Sequence, residues 1–254
     1  MRTSAMWHGS SVERLAAAGC VAPEEEAREL AAGAPDDHVL EEWLRRRERG
    51  EPLAWITGTT TFCGRTIRVD PGVYVPRLQS EELARRASAF LPDRGRALDL
   101  CTGCGAIAVT MSETRPSAIV IGVDLDPRAA ANARRNGVGA LRGNLGDALR
   151  SKGFDIVTCV APYVPTRELR LLPSDVTRYE PSLALDGGDD GLAVLRGVVV
   201  SAARLLRPGG RLLVEVGGSQ DRGLRSALSD SGFGNVETWF DEAGDLRGLL
   251  AEFG

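Results

Sequence analysis

Apolar side chains recur at helical spacing in three short stretches near the start of the chain, Ser11 to Ala18, Pro23 to Ala32 and Asp36 to Arg49. These stretches are rich in Ala, Glu and Arg, and Asp36 or Asp37 is placed to cap the third. Helices this short bury little on their own, so they are expected to dock on a larger body, with Trp43 as an apolar anchor and Arg45 to Arg47 as a solvated face. Across residues 60–75 the spacing changes to strand-like alternation around Gly64, in TTTFCGRTIRVDPGVYVP, which predicts a hairpin. From Gln79 onward helix and strand alternate. Strands are expected near 96–100, 118–123, 139–143, 154–159 and 210–216, with a final antiparallel pair near 233–239 and 246–252. Such alternation predicts an α/β, Rossmann-like sheet with its ligand beyond the strand C-termini, next to the first strand.

Length and composition narrow the class. A chain of 254 residues can bury one full α/β core plus a small appendage. A net charge of −4 argues against nucleic acid as the main ligand. No apolar run reaches the roughly 18 residues of a membrane span, and no basic-then-apolar leader is visible, so a cytoplasmic protein is expected. Five cysteines, an odd number, fit a reducing compartment better than a disulfide framework. Cys101 and Cys104 form a CxxC, but no histidine lies nearby, and no metal site is expected.

The chemistry concentrates in ALDLCTGCGAIAV, residues 97–109, and in IVIGVDLDP some twenty residues later. The first reads as strand, glycine turn and helix, which brings backbone N–H groups and a helix N-terminus against a ligand. The second ends in Asp124, where a strand-end carboxylate can accept hydrogen bonds from both ribose hydroxyls. Gly103, Gly105 and Ala108 also fit a loose dinucleotide fingerprint, so the glycines alone leave an NAD-dependent reductase open. Asp99 tips the balance, because a carboxylate there suits a cationic, amine-bearing cofactor such as S-adenosylmethionine. Asn144, after the third strand, is either a contact to the adenine edge, with Leu145 covering the ring, or a turn-forming residue. The fourth strand, FDIVTCV, runs into APYVP, a stiff loop suited to holding a substrate group against the cofactor.

GEPLAWITG, PGVYVPR, DLCTGCGAIAV, VDLDP, FDIV followed by APYVP, and YEPSLALDGGDDGL before LLRPGGRLLVEVG together resemble the HemK-like protein-glutamine N-methyltransferases. The likeness runs from about Arg45 to the C-terminus. It implies a seven-stranded methyltransferase domain over 77–254, a helical domain over 1–58 and a linking hairpin over 59–76. It also implies S-adenosylmethionine bound by Cys101, Thr102, Gly103, Cys104 and Gly105, by Asp124 and Leu145, and at Val160, with Asp99, Leu125 and Asn144 as the further candidates beside them.

Where the family has Asn-Pro-Pro-Tyr, this chain has Val160, Ala161, Pro162 and Tyr163. In the family the asparagine side chain and a neighbouring carbonyl hold the acceptor glutamine amide. Valine offers only its backbone. Leaving a bound amide without that partner costs about 1–3 kcal/mol, which argues against glutamine as the acceptor. The family's Pro-Arg-Pro-Glu reads Pro76, Arg77, Leu78 and Gln79 here, losing a charge near the acceptor, while Glu180 and Pro181 match. Arg77 and residues 160–163 are therefore expected to contact the acceptor, with Tyr163 and Glu180 as the catalytic candidates. The expected acceptor is a nitrogen or oxygen nucleophile of another protein or a small metabolite. A cofactor-binding interaction module without transfer activity is the alternative from a different class.

Overall fold

The computed structural model describes residues 4–147, 149 and 152–254. Four helices come first: α1 (Ser4–Ala17), α2 (Pro23–Gly33), α3 (Asp37–Glu48) and α4 (Leu53–Thr57). They close around Leu15, Leu30, Leu40, Leu44 and Ile56. The Asp36 carboxylate caps α3 by accepting from the N–H groups of His38 and Val39 at 2.9 Å. Trp43 packs inside this bundle, against Gly33 of α2, and so does not serve as the docking anchor. That role falls to Trp55 of α4. Its Nε1 donates to the Val73 carbonyl at 2.9 Å, and its ring meets Tyr179 edge-on, with centroids 6.3 Å apart. The arginine run is also less solvated than expected. Arg45 is exposed, but Arg46 is paired to Glu51 and Arg47 to Glu26, each at 2.5 Å.

Strands β1 (Thr59–Phe62) and β2 (Arg65–Arg68) form the hairpin. Its two-residue turn, Cys63 and Gly64, has positive φ at both positions, the geometry that matches strand twist. Beyond it come α5 (Glu81–Phe90), β3 (Arg96–Leu100), α6 (Ala106–Thr114), β4 (Ile119–Asp124), α7 (Pro127–Arg135), β5 (Gly139–Arg142) and β6 (Phe154–Cys159). The chain ends with α8 (Ser174–Tyr179), α9 (Ala193–Leu205), β7 (Leu206–Glu215), α10 (Gln220–Asp230), β8 (Phe233–Phe240) and β9 (Leu246–Phe253). Short α4 and α8 escape the periodicity because each is under two turns long.

Seven strands form one sheet in the order β5-β4-β3-β6-β7-β9-β8, parallel except where β9 runs antiparallel between β7 and β8. Alternate side chains serve opposite faces. Ala97, Ile156 and Leu213 pack under α5 and α6, whereas Leu98, Val157, Leu212 and Val214 pack under α9 and α10. Strand order reverses between β3 and β6, and the carboxyl ends there open on a common crevice.

Candidate active site

The turn after β3 is built mostly from backbone. The Thr102 N–H donates to the Val123 carbonyl at 3.1 Å, and the Gly105 N–H donates to the Thr102 carbonyl at 2.8 Å. Gly105 has φ +86°, and a Cβ there would stand 3.0 Å from the Cβ of Ala133, so only glycine lets α6 and α7 approach this closely. Asp124 closes the turn from the next strand. Its Oδ2 accepts from the Gly103 N–H and its Oδ1 from the Asp126 N–H, each at 2.8 Å. Each carboxylate oxygen keeps a further acceptor site. Burial pushes the Asp124 carboxyl above its ordinary range.

A cavity of about 870 Å³ opens over these strand ends. Cys101, Gly103, Asp124, Leu125, Asn144 and Leu145 line one side. A Cβ on Gly103 would meet nothing within 4 Å, so the backbone there faces open space. Asn144 both lines the cavity and donates to Asp147 at 3.2 Å, so the turn-forming reading holds alongside the contact reading. Four residues expected to touch the cofactor are not on this wall. Asp99 is 1% exposed and locked by the hydroxyls of Thr102 and Thr158 at 2.6 and 2.7 Å. It ties strand to turn instead of meeting a ligand amine, and burial pushes its carboxyl up to about 6. Thr102 spends its hydroxyl on that lock, Gly105 serves helix packing, and Cys104 lies in the hydrophobic core. Among the described residues no group of His, Cys, Asp and Glu has metal-binding geometry.

Tyr74, Arg77, Val160, Ala161, Pro162 and Tyr163 line the other side, with Leu172, Val176, Pro181 and Leu183 completing it. Val160 presents two methyl groups and no polar side-chain atom. The Tyr163 hydroxyl accepts from Gln79 Nε2 at 3.1 Å, and the same nitrogen donates to Glu215 Oε1 at 3.0 Å. Ser80 Oγ donates to the other Glu215 oxygen, at 2.5 Å. Burial, and then the Glu215 charge, hold the Tyr163 phenol well above its ordinary value. Behind the tyrosine, the DGGDDGL segment braces the loop. The Val164 N–H donates to the Leu185 carbonyl at 3.0 Å and the Gly187 N–H to the Val164 carbonyl at 2.8 Å, while Gln220 Nε2 donates to the Tyr163 carbonyl at 2.9 Å. A Cβ on Gly187 would stand 2.8 Å from the Cα of Tyr163. Glu180 is not on the cavity wall. Its Oε1 accepts from Arg77 Nη2 at 2.6 Å, its Oε2 is buried without a partner, and burial raises its pKa against the pull of Arg77.

Sequence reading missed the Gln79–Glu215–Ser80 cluster and the bracing role of Gly187. The glycines of DGGDDGL were the available signal, since repeated glycine beside an aromatic loop marks close backbone approach. The glutamine-to-glutamate link spans 136 residues, which no local pattern reports.

The donor set fits S-adenosylmethionine. A strand-end carboxylate meets vicinal hydroxyls, apolar Leu125 and Leu145 flank the space for a ring, and the open backbone at Gly103 admits a close ligand.

No family model matches the chain. A release factor glutamine methyltransferase of Geobacter sulfurreducens is 38% identical over 207 residues, covering 79% of this chain and 73% of the relative. A 4-amino-L-phenylalanine/4-methylamino-L-phenylalanine methyltransferase of Streptomyces pristinaespiralis is 40% identical over 191 residues, covering 70% of this chain and 65% of that relative. Among solved structures, a T. thermophilus 16S rRNA N2 G1207 methyltransferase in complex with AdoMet and guanosine superposes with a TM-score of 0.53 at 20% identity, covering 77% of this chain and 44% of that one. The last of these is a likeness of fold.

Proposed function

The chain belongs to the release factor glutamine methyltransferase family and is an S-adenosylmethionine-dependent methyltransferase, and we propose that its acceptor is a small metabolite with a nitrogen or oxygen nucleophile, not the release-factor glutamine. Membership sets aside the NAD-dependent and non-enzymatic readings. When bound, the cofactor supplies a methyl group activated on a sulfonium. Asp124 holds the ribose hydroxyls, Leu125 and Leu145 cover the adenine, and Cys101 and Gly103 form the floor. Val160 and Ala161 offer their carbonyls to the acceptor, and the Tyr163 ring packs over it.

The observation that carries this reading is that Val160, with no polar side-chain atom, lines the cavity at the position where the family's asparagine grips an amide. A relative acting on a free amino acid supports a small acceptor within the same lineage. A different protein is the second reading. It is favoured by Leu78 and Leu183, which line the same cavity yet are 74% and 51% exposed. Transfer of labelled methyl to a purified release factor and to small-molecule fractions tests the choice. Stoichiometric methylation of the release-factor glutamine by the wild-type chain overturns both readings.

A further inference from the structure

Two charged side chains line the acceptor side of the cavity, Asp186 and Arg77. Asp186 is spent on bracing the loop, since its Oδ1 accepts from the Thr166 hydroxyl at 2.7 Å and the Gly188 N–H at 2.9 Å. Arg77 is held differently. One of its five N–H donors goes to Glu180, and its guanidinium carbon sits 4.9 Å over the Tyr74 ring. These contacts fix the fork before a ligand arrives. The guanidinium carries more N–H donors than Glu180 and Tyr74 use, and its planar fork matches a carboxylate.

Among the described residues, the cavity wall carries no histidine or lysine. Tyr163 keeps its proton through burial. Asp124, Asp126 and Asp186 each accept backbone N–H bonds, and Glu180 is tied to Arg77. His38 lies in α3, at the N-terminal bundle. The acceptor must therefore arrive with its lone pair free, as an aryl amine does at neutral pH and an alkyl ammonium does not.

We infer that the acceptor is an aryl amine carrying a carboxylate, with the carboxylate on Arg77 and the neutral amine at the carbonyls of Val160 and Ala161. The aryl nitrogen lone pair takes the methyl carbon, the electron pair of the broken bond stays on sulfur, and the proton of the methylated amine leaves to water. This inference rests on the small-acceptor reading.

The test compares methyl transfer to 4-aminophenylacetate, to 4-methylaniline, which lacks the carboxylate, and to 4-(aminomethyl)phenylacetate, which is an alkyl amine. The expected result is turnover of 4-aminophenylacetate with a KM at least tenfold below that of 4-methylaniline, and no turnover of the alkyl amine at pH 7. Arg77→Leu alone strands a buried carboxylate, so the probe variant is Arg77→Leu with Glu180→Gln. It should lose the carboxylate preference while binding S-adenosylhomocysteine within about threefold of wild type. Equal KM values in the wild type, or a preference that survives in the double variant, overturn the role of Arg77. Equal use of the alkyl amine overturns the aryl requirement. No turnover of either aryl amine by a chain that binds S-adenosylhomocysteine overturns the inference, and the release-factor assay then decides the broader reading separately.

Discussion

The two sides of the cavity are made by different means. The cofactor side comes from short contiguous runs, 99–105, 124–126 and 144–145, and its geometry resides in N–H groups tied to Val123, Thr102 and Asp124. Cys101 and Cys104 fall within the turn after β3, which is closed by backbone hydrogen bonds. The acceptor side is assembled from residues 74–79, 160–164, 172–185 and 215–220, and its character resides in side chains. A family can therefore keep its methyl donor while changing its acceptor, because the two halves answer to different features of the chain.

Five variants test that contrast, beginning with the largest expected effect. Asp124→Ala removes an ionised acceptor for two hydroxyls, at about 1.5–3 kcal/mol each, so S-adenosylhomocysteine affinity should fall at least about a hundredfold by calorimetry. Retained affinity would break the account of the cofactor side.

Asp99 tests the backbone lock beneath it. Its carboxyl is raised from 3.8 to about 6 by burial, so the folded chain holds a proton that the unfolded chain has released between those values. The stability linked to that proton is present in full below about pH 4 and is lost as the pH rises through 6, a decline of about 3 kcal/mol. Thermal melts of the cofactor-free chain from pH 4 to 7 should show a decline in wild type that is missing in Asp99→Asn. Parallel profiles would remove Asp99 as its source.

On the acceptor side, Tyr163→Ala should lower turnover about thirtyfold or more at saturating cofactor. Tyr163→Phe should stay within about threefold, because the ring packs and the phenol keeps its proton. Equal losses in both variants would make the hydroxyl the active group. The smallest effect is expected for Val160→Asn, which should leave S-adenosylhomocysteine affinity unchanged and release-factor methylation undetected, since Leu78, Gln79 and the rest of the acceptor wall stay as they are. A gain of glutamine methylation from this one change would place all of the specificity at position 160.

The contrast also sets what the sequence could reveal. All seven strands of the large sheet were legible, because short apolar runs bounded by turns are local signals. Strand β7 begins at Leu206, earlier than 210, through a pairing of Leu206 with Phe154 that no local pattern encodes. The strand–turn–helix pattern made Asp124 and Gly103 legible as candidates, and both line the cavity. Asp99 was misjudged, since a strand-end carboxylate reads the same whether it faces a ligand or two threonine hydroxyls. Glu180 was misjudged likewise, because proximity to the acceptor loop in sequence did not reveal that Arg77 stands between it and the cavity. The Gln79–Glu215 link and the exchange of Trp43 for Trp55 depend on which surfaces meet in three dimensions.

Tyr179, at the end of α8, touches Trp55 and donates its hydroxyl to the Arg49 carbonyl at 3.1 Å, while Val176 one turn earlier lines the acceptor cavity. One short helix thus has the cavity on one flank and the N-terminal bundle on the other. Linkage makes any coupling reciprocal: if occupancy of the cavity disfavours opening of α3 and α4 through α8, the closed bundle must in turn raise acceptor affinity by the same factor. Hydrogen–deuterium exchange should then report acceptor binding at amides of residues 37–57, none of which lines the cavity.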